Sequence, residues 1–107
     1  MQITCADIEV GQIFYAAKIA GEFHEFGKFQ ALSPTAKQVK AIKTIYKDSG
    51  MNYAQSLRSS DWRFFSDFES AREYWIENKL NRDVAVAETR LARCKALIDA
   101  IKQKTDI

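Results

Sequence analysis

Histidine, cysteine, proline and glycine are all scarce in this 107-residue chain, and each scarcity removes a class of function. His24 is the only histidine, and Cys5 and Cys94 the only cysteines. A structural zinc site needs about four Cys or His ligands at set spacings, so one chain cannot build it. Four glycines leave no Gly-rich phosphate cradle, and no G-x-S-x-G, H-E-x-x-H or P-loop pattern occurs. Glu22 and Glu25 neighbour His24, but an alternating strand would not bring all three together. With no nucleophile–base pair, the expectation is a protein without enzymatic activity, metal or cofactor. The stretch MQITCADIEVG carries no charged leader region, and no apolar run approaches the length that spans a bilayer. The chain is therefore expected to be soluble, cytoplasmic and without a membrane partner.

What is present is the composition of a globular domain. An apolar fraction of 47%, with 12% aromatic residues, can supply a core at a length that suffices for one domain but not for two ordinary ones. A net charge of +2 says little about partners, because dedicated DNA-binding domains carry a larger or more clustered excess. Cys94 falls on an apolar helical stripe and is expected as a buried free thiol, although a Cys5–Cys94 disulfide stays formally open.

The pattern divides into a β-rich first part, residues 1–66, and a helical second part, residues 67–107, within a single domain. QIFYAAKIA alternates as a strand, with Ile13, Tyr15, Ala17 and Ile19 on one side and Phe14, Ala16 and Lys18 on the other. Gly21 and Glu22 suit a tight connection into FHEFGKFQAL, where Phe29, Ala31 and Gly27 share a face and Gly27 suits a bulge. AKQVKAIKTIYK is ambiguous. Its β-branched residues favour a strand after a turn at SPTAK, whereas Ser33-Pro34 would also start a helix. DWRFFS reads as a short aromatic strand. Ser66 and Glu69 then form a capping box, and no glycine or proline follows. Leu80, Val84, Ala87, Leu91, Cys94, Ile98 and Ile101 repeat at alternating spacings of four and three, a heptad seam. The two asparagines of ENKLNRD suggest a kink, or a break into two helices, near residues 78–83.

VGQIFY (Val10–Tyr15) and FFSDFESA (Phe64, Phe65 and Ser66 through Ala71) resemble small phage and prophage proteins in which an SH3-like barrel precedes a C-terminal helix. The resemblance covers about residues 8–80. It implies an α+β fold, with a small antiparallel SH3-like sheet or barrel over about residues 8–65 and a helical ending. It also implies a function exerted by binding, since the understood members are often inhibitors of host machinery or of defence systems, anti-CRISPR proteins included. Such a protein would act in the cytoplasm of the bacterial host on a protein or nucleoprotein complex. The long helical tail departs from the usual short ending.

Four surfaces are candidates, each with a plain structural alternative. Lys37, Lys40, Lys43 and Lys47 could neutralise phosphates, or could simply wet an exposed element. Arg58, Trp62 and Arg63 combine aromatic and guanidinium groups, as binding hot spots do, but alternation assigns part of WRFF to the core. Trp62 should share a face with Phe64, and Arg63 with Phe65, which is expected beneath the helix start. Glu69, Glu73 and Glu77 make an acidic ridge suited to a basic partner, or an ordinary solvated face. The Leu80–Ile101 seam either packs on the chain's own body or mediates self-association through an antiparallel helix pair. The leading expectation is the phage-type inhibitor. The alternatives are a nucleic-acid-binding small barrel and a structural homodimer formed through the C-terminal helix.

Overall fold

The computed structural model describes residues 1–46, 48 and 53–104. Six strands form one antiparallel sheet: β1 (Gln2–Ile3), β2 (Ile13–Lys18), β3 (Phe26–Pro34), β4 (Gln38–Lys43), β5 (Gln55–Arg58) and β6 (Trp62–Phe65). Their spatial order is β1-β6-β2-β3-β4-β5. A helix follows as α1 (Phe68–Trp75), a π turn (Ile76–Leu80) and α2 (Asn81–Lys102). The fold is α+β, as expected, but the sheet is open rather than a closed barrel. Its edges, β1 and β5, are short, which limits unwanted strand pairing.

The sheet buries both faces at its centre. On one side Phe14, Ala16, Phe29, Ala31, Val39, Ala41, Leu57, Trp62 and Phe64 form one core with Ile3, Cys5 and Ile8. Phe14 stacks on Phe29 at 5.9 Å and meets Phe64 edge-on at 5.8 Å. On the other side Ala17 and Phe65 pack beneath Ala71 of α1, flanked by Tyr15, Phe26, Tyr74 and Trp75. Phe65 thus sits under the helix start, and Trp62 and Phe64 share the opposite face.

The ambiguous AKQVKAIKTIYK segment supplies β4, followed by a 3-10 turn at Thr44–Tyr46. Pairing on both sides decides for the strand: Val39 and Ala41 lie against Leu57 and Gln55 of β5, and Ala41 against Ala31 of β3. Gly27 is not a bulge, because it pairs in register with Ala16; the register shifts instead between Ala31 and Ser33. The absence of a Cβ at Gly27 makes room for the Phe29 ring and the Lys43 stem, which would lie only 3.2 and 3.3 Å from one.

The helix begins one residue later than the capping box suggests. Asp67 is the N-cap, accepting the Ser70 backbone N–H at 2.9 Å, and it also pairs with the Met1 ammonium group. Ser66 instead directs its N–H and hydroxyl to the Met1 carbonyl, which ties β1 to the sheet. No break occurs at ENKLNRD. The helix continues through the π turn, in which the Asn81 N–H reaches back five residues to the Ile76 carbonyl. No helix among the described residues is long and apolar enough to cross a membrane.

Candidate functional site

Beyond Asp83, α2 leaves the body of the protein. Every residue from 84 to 104 is exposed, and the molecule measures 66 × 30 × 23 Å. At 1.5 Å per residue, the 22 residues of α2 account for about half of the long dimension. The heptad seam is therefore in solvent: Val84, Leu91, Ile98 and Ile101 each expose half or more of their surface. Cys94 is exposed as well, a correction to the expected buried thiol, while Cys5 is the buried one and both are free. A stripe at seam spacing looks the same whether its own chain or something else covers it. Here its own chain does not. Leu80, at the start of the seam and inside the π turn, is half-buried.

The base of this arm is held by a polar cluster that spacing alone did not reveal. Lys79, within the π turn, is 3% exposed. Its ammonium group donates to the Gly21 carbonyl at 2.6 Å and pairs with Asp83 Oδ2 at 3.0 Å. His24 Nε2 lies 2.8 Å from the same carboxylate oxygen. Arg82 adds a hydrogen bond to the Ile19 carbonyl at 3.1 Å. Lys79, and to a lesser extent His24, hold the Asp83 carboxyl below the usual carboxylate range. The loop between β2 and β3, which turns through Gly21 at a φ of +81°, is thereby fastened to the helix. The chemistry of the cluster is that of a clasp. Its carboxylate is engaged by the lysine, and its histidine is spent on holding the loop.

Between this loop and α2 runs a groove of about 570 Å³, lined by Glu22, Val86, Ala87, Arg90, Leu91 and Cys94 among others. Its lining combines apolar side chains with the charged Glu22, Asp83 and Arg90.

The remaining candidate residues are dispersed. Lys40 lies on the face of β4 turned away from Val39 and Ala41, paired with Ser33 and Ser56. Lys43 points to the other face, opposite Phe29, and Lys37 sits in the β3–β4 turn. Lys47 lies outside the described residues. The three described lysines therefore do not form one ridge. Trp62 is 5% exposed, edge-on to Phe29 at 5.9 Å, and belongs to the core rather than to a surface. Arg63 folds back to donate to the Ser59 and Trp62 carbonyls at 2.8 and 2.9 Å. Arg58 is exposed at the end of β5, near no aromatic platform formed by Trp62. Glu69, Glu73 and Glu77 are all exposed, and none enters an ion pair among the described residues. Arg72, the expected counter-charge, instead stands 5.4 Å over the Phe68 ring. No group of three or more His, Cys, Asp or Glu among the described residues could hold a metal ion. Comparison with protein-family models, with curated proteins and with solved structures finds no match to the chain.

Proposed function

We propose that the chain is a non-enzymatic binding protein in which the sheet is a rigid holder and the projecting helix is the docking arm. One observation carries this: an apolar heptad seam, presented on a helix that its own body leaves uncovered from residue 84 onward. Exposed apolar stripes of this kind mark interaction surfaces, since leaving them in water gains nothing for a monomer. The clasp at Lys79, Asp83 and His24 fixes the arm's direction, a form of pre-organisation that lowers the cost of docking. The inhibitor of a host complex, expected from the phage-type resemblance, is one form of this function. The uncompensated carboxylates of Glu69, Glu73 and Glu77 would then suit a basic, nucleic-acid-handling partner. Nucleic-acid binding by the chain itself is less favoured, because the described lysines point to different faces.

The test is affinity capture from bacterial lysate with the wild-type chain and with the Leu91→Glu, Ile98→Glu double variant, after nuclease treatment. Macromolecules held by the wild type and lost from the variant support the arm as the docking element. Identical sets on both baits would remove the basis for the assignment.

A further inference from the structure

The occupant of the exposed seam can be named from its charges and its shape. We infer that it is a second copy of this chain, whose α2 lies antiparallel to the first, with its last turns in the groove beside Gly21 and Glu22. This rests on α2 being the docking arm, as proposed above.

Orientation follows first from charge. Among the residues flanking the seam, acids occur only in the first half of α2, at Asp83 and Glu88 beside Arg90, whereas the second half is basic, at Lys95, Lys102 and Lys104. In a parallel pair the flanking positions that meet are Asp83 with Glu88 and Arg90 with Lys95, two like-charge contacts. In an antiparallel pair, Glu88 meets Lys95 of the second copy, and Asp83 meets its Lys104. The same exchange occurs twice by symmetry. Opposed helix dipoles add in the same direction.

Shape gives the same answer. Paired helices sit about 8–10 Å apart. The molecule measures 30 × 23 Å across, and the body that sets this width sits at one end of α2. Parallel pairing would crowd both bodies at the same end of the helix pair. Antiparallel pairing separates them by the length of the arm.

The register is set by size. Centring the pair between Ala92 and Arg93 places Leu91 on Cys94, Ile98 on Ala87 and Val84 on Ile101, so large side chains lie over small ones in two of the three layers. It also brings Ile98, Ile101 and Lys104 of the second copy to the groove, where the exposed Glu22 carboxylate awaits the incoming lysine. Removing about half the surface of these seam residues on both helices buries on the order of 1,000 Å², the lower end of specific interfaces. A reversible dimer of about micromolar affinity is the expected strength.

Sedimentation equilibrium of the full-length chain tests this directly. The average mass should rise from one chain to two between about 1 and 100 µM. Leu91→Glu should keep it at one, with an unchanged circular dichroism spectrum, because the residue is more than half exposed on α2. Glu88→Lys should weaken the dimer about tenfold or more, and adding Lys95→Glu should restore it, a rescue that a purely structural role would not produce. In a Cys94→Ser background, mixing Val84→Cys and Ile101→Cys chains should give a hetero-crosslink, whereas parallel pairing would crosslink each variant to itself. A chain that stays monomeric at 100 µM and above, or self-crosslinks at Val84→Cys, overturns the inference. If that monomer still loses a captured macromolecule on Leu91→Glu, the docking arm stands without the dimer; if nothing is lost, both fall.

Discussion

Replacing Lys79 separates what its charge does from what its stem does. The ammonium group is almost wholly out of water, with one carbonyl at 2.6 Å and one carboxylate oxygen at 3.0 Å as partners. Hydrogen bonds to charged groups are worth about 1.5–3 kcal/mol each, but desolvating an ammonium ion costs several kcal/mol, so the two nearly cancel. Lys79→Met removes both terms and keeps most of the buried stem. The Gly21 carbonyl lies on an exposed loop that water can reach, and the Asp83 carboxylate is one-third exposed and keeps His24. The net loss in global stability should therefore be within about 1 kcal/mol. Lys79→Ala also removes the stem and leaves a void, which should raise the loss to about 2–3 kcal/mol. Urea unfolding followed by the fluorescence of Trp62 and Trp75 measures both. A Met variant as damaged as the Ala variant would refute the reasoning, because it would make the ion pair, not the packing, the source of stability. Hydrogen exchange should show the β2–β3 loop loosened in both.

Further outcomes follow from individual contacts. The Asp67 carboxyl is lowered to about 2 by the Met1 ammonium group and by the N–H and hydroxyl of Ser70, so its contribution is complete above the ordinary value of 3.8. That contribution is lost as pH falls towards 2; Asp67→Asn should retain the cap yet flatten this part of an acid titration followed by circular dichroism. Phe14→Ala removes a fully buried ring that stacks on Phe29 and meets Phe64 edge-on, and should cost about 3–5 kcal/mol in urea unfolding. In dilute native protein a maleimide should modify Cys94 promptly and Cys5 only on unfolding, because burial both shields the Cys5 thiol and raises its pKa.

Much of the sheet was legible because its strands obey simple alternation. Phe14 and Ala16 against Tyr15 and Ala17, and Trp62 and Phe64 against Arg63 and Phe65, read correctly from spacing, including the placement of Phe65 under the helix. Closure was not legible, since whether the ends of a curled sheet meet depends on the geometry of all six strands together. The cap moved by one residue because Asp67 has the Met1 ammonium group beside it, a contact between residues far apart in sequence. The candidate site was hidden for two reasons. A heptad stripe encodes that something covers it but not what, and so Cys94 was misplaced. Lys79 lies in a polar stretch that reads as a helix break, and its burial arises only when the β2–β3 loop folds over it.

The π turn carries a consequence for how such an arm can be re-aimed. A π turn holds one residue more than an α turn, so everything after it is rotated by about one residue's worth of helix, some 100°. That extra step is what carries the buried face of α1 (Ala71, Tyr74, Trp75) on to Lys79 and Asp83 rather than to Asn78 and Arg82. Because the extra residue is absorbed within the turn, deleting one residue between Ile76 and Leu80 would restore regular winding and leave the seam facing the same way. Rewinding the turn with no residue lost would instead swing the whole seam about a third of a turn around its axis. The sheet would be untouched, while Glu22 and the groove would face a different side of α2. The turn is thus a dial at the joint, and its winding, π or α, sets which partner-facing surface the arm presents.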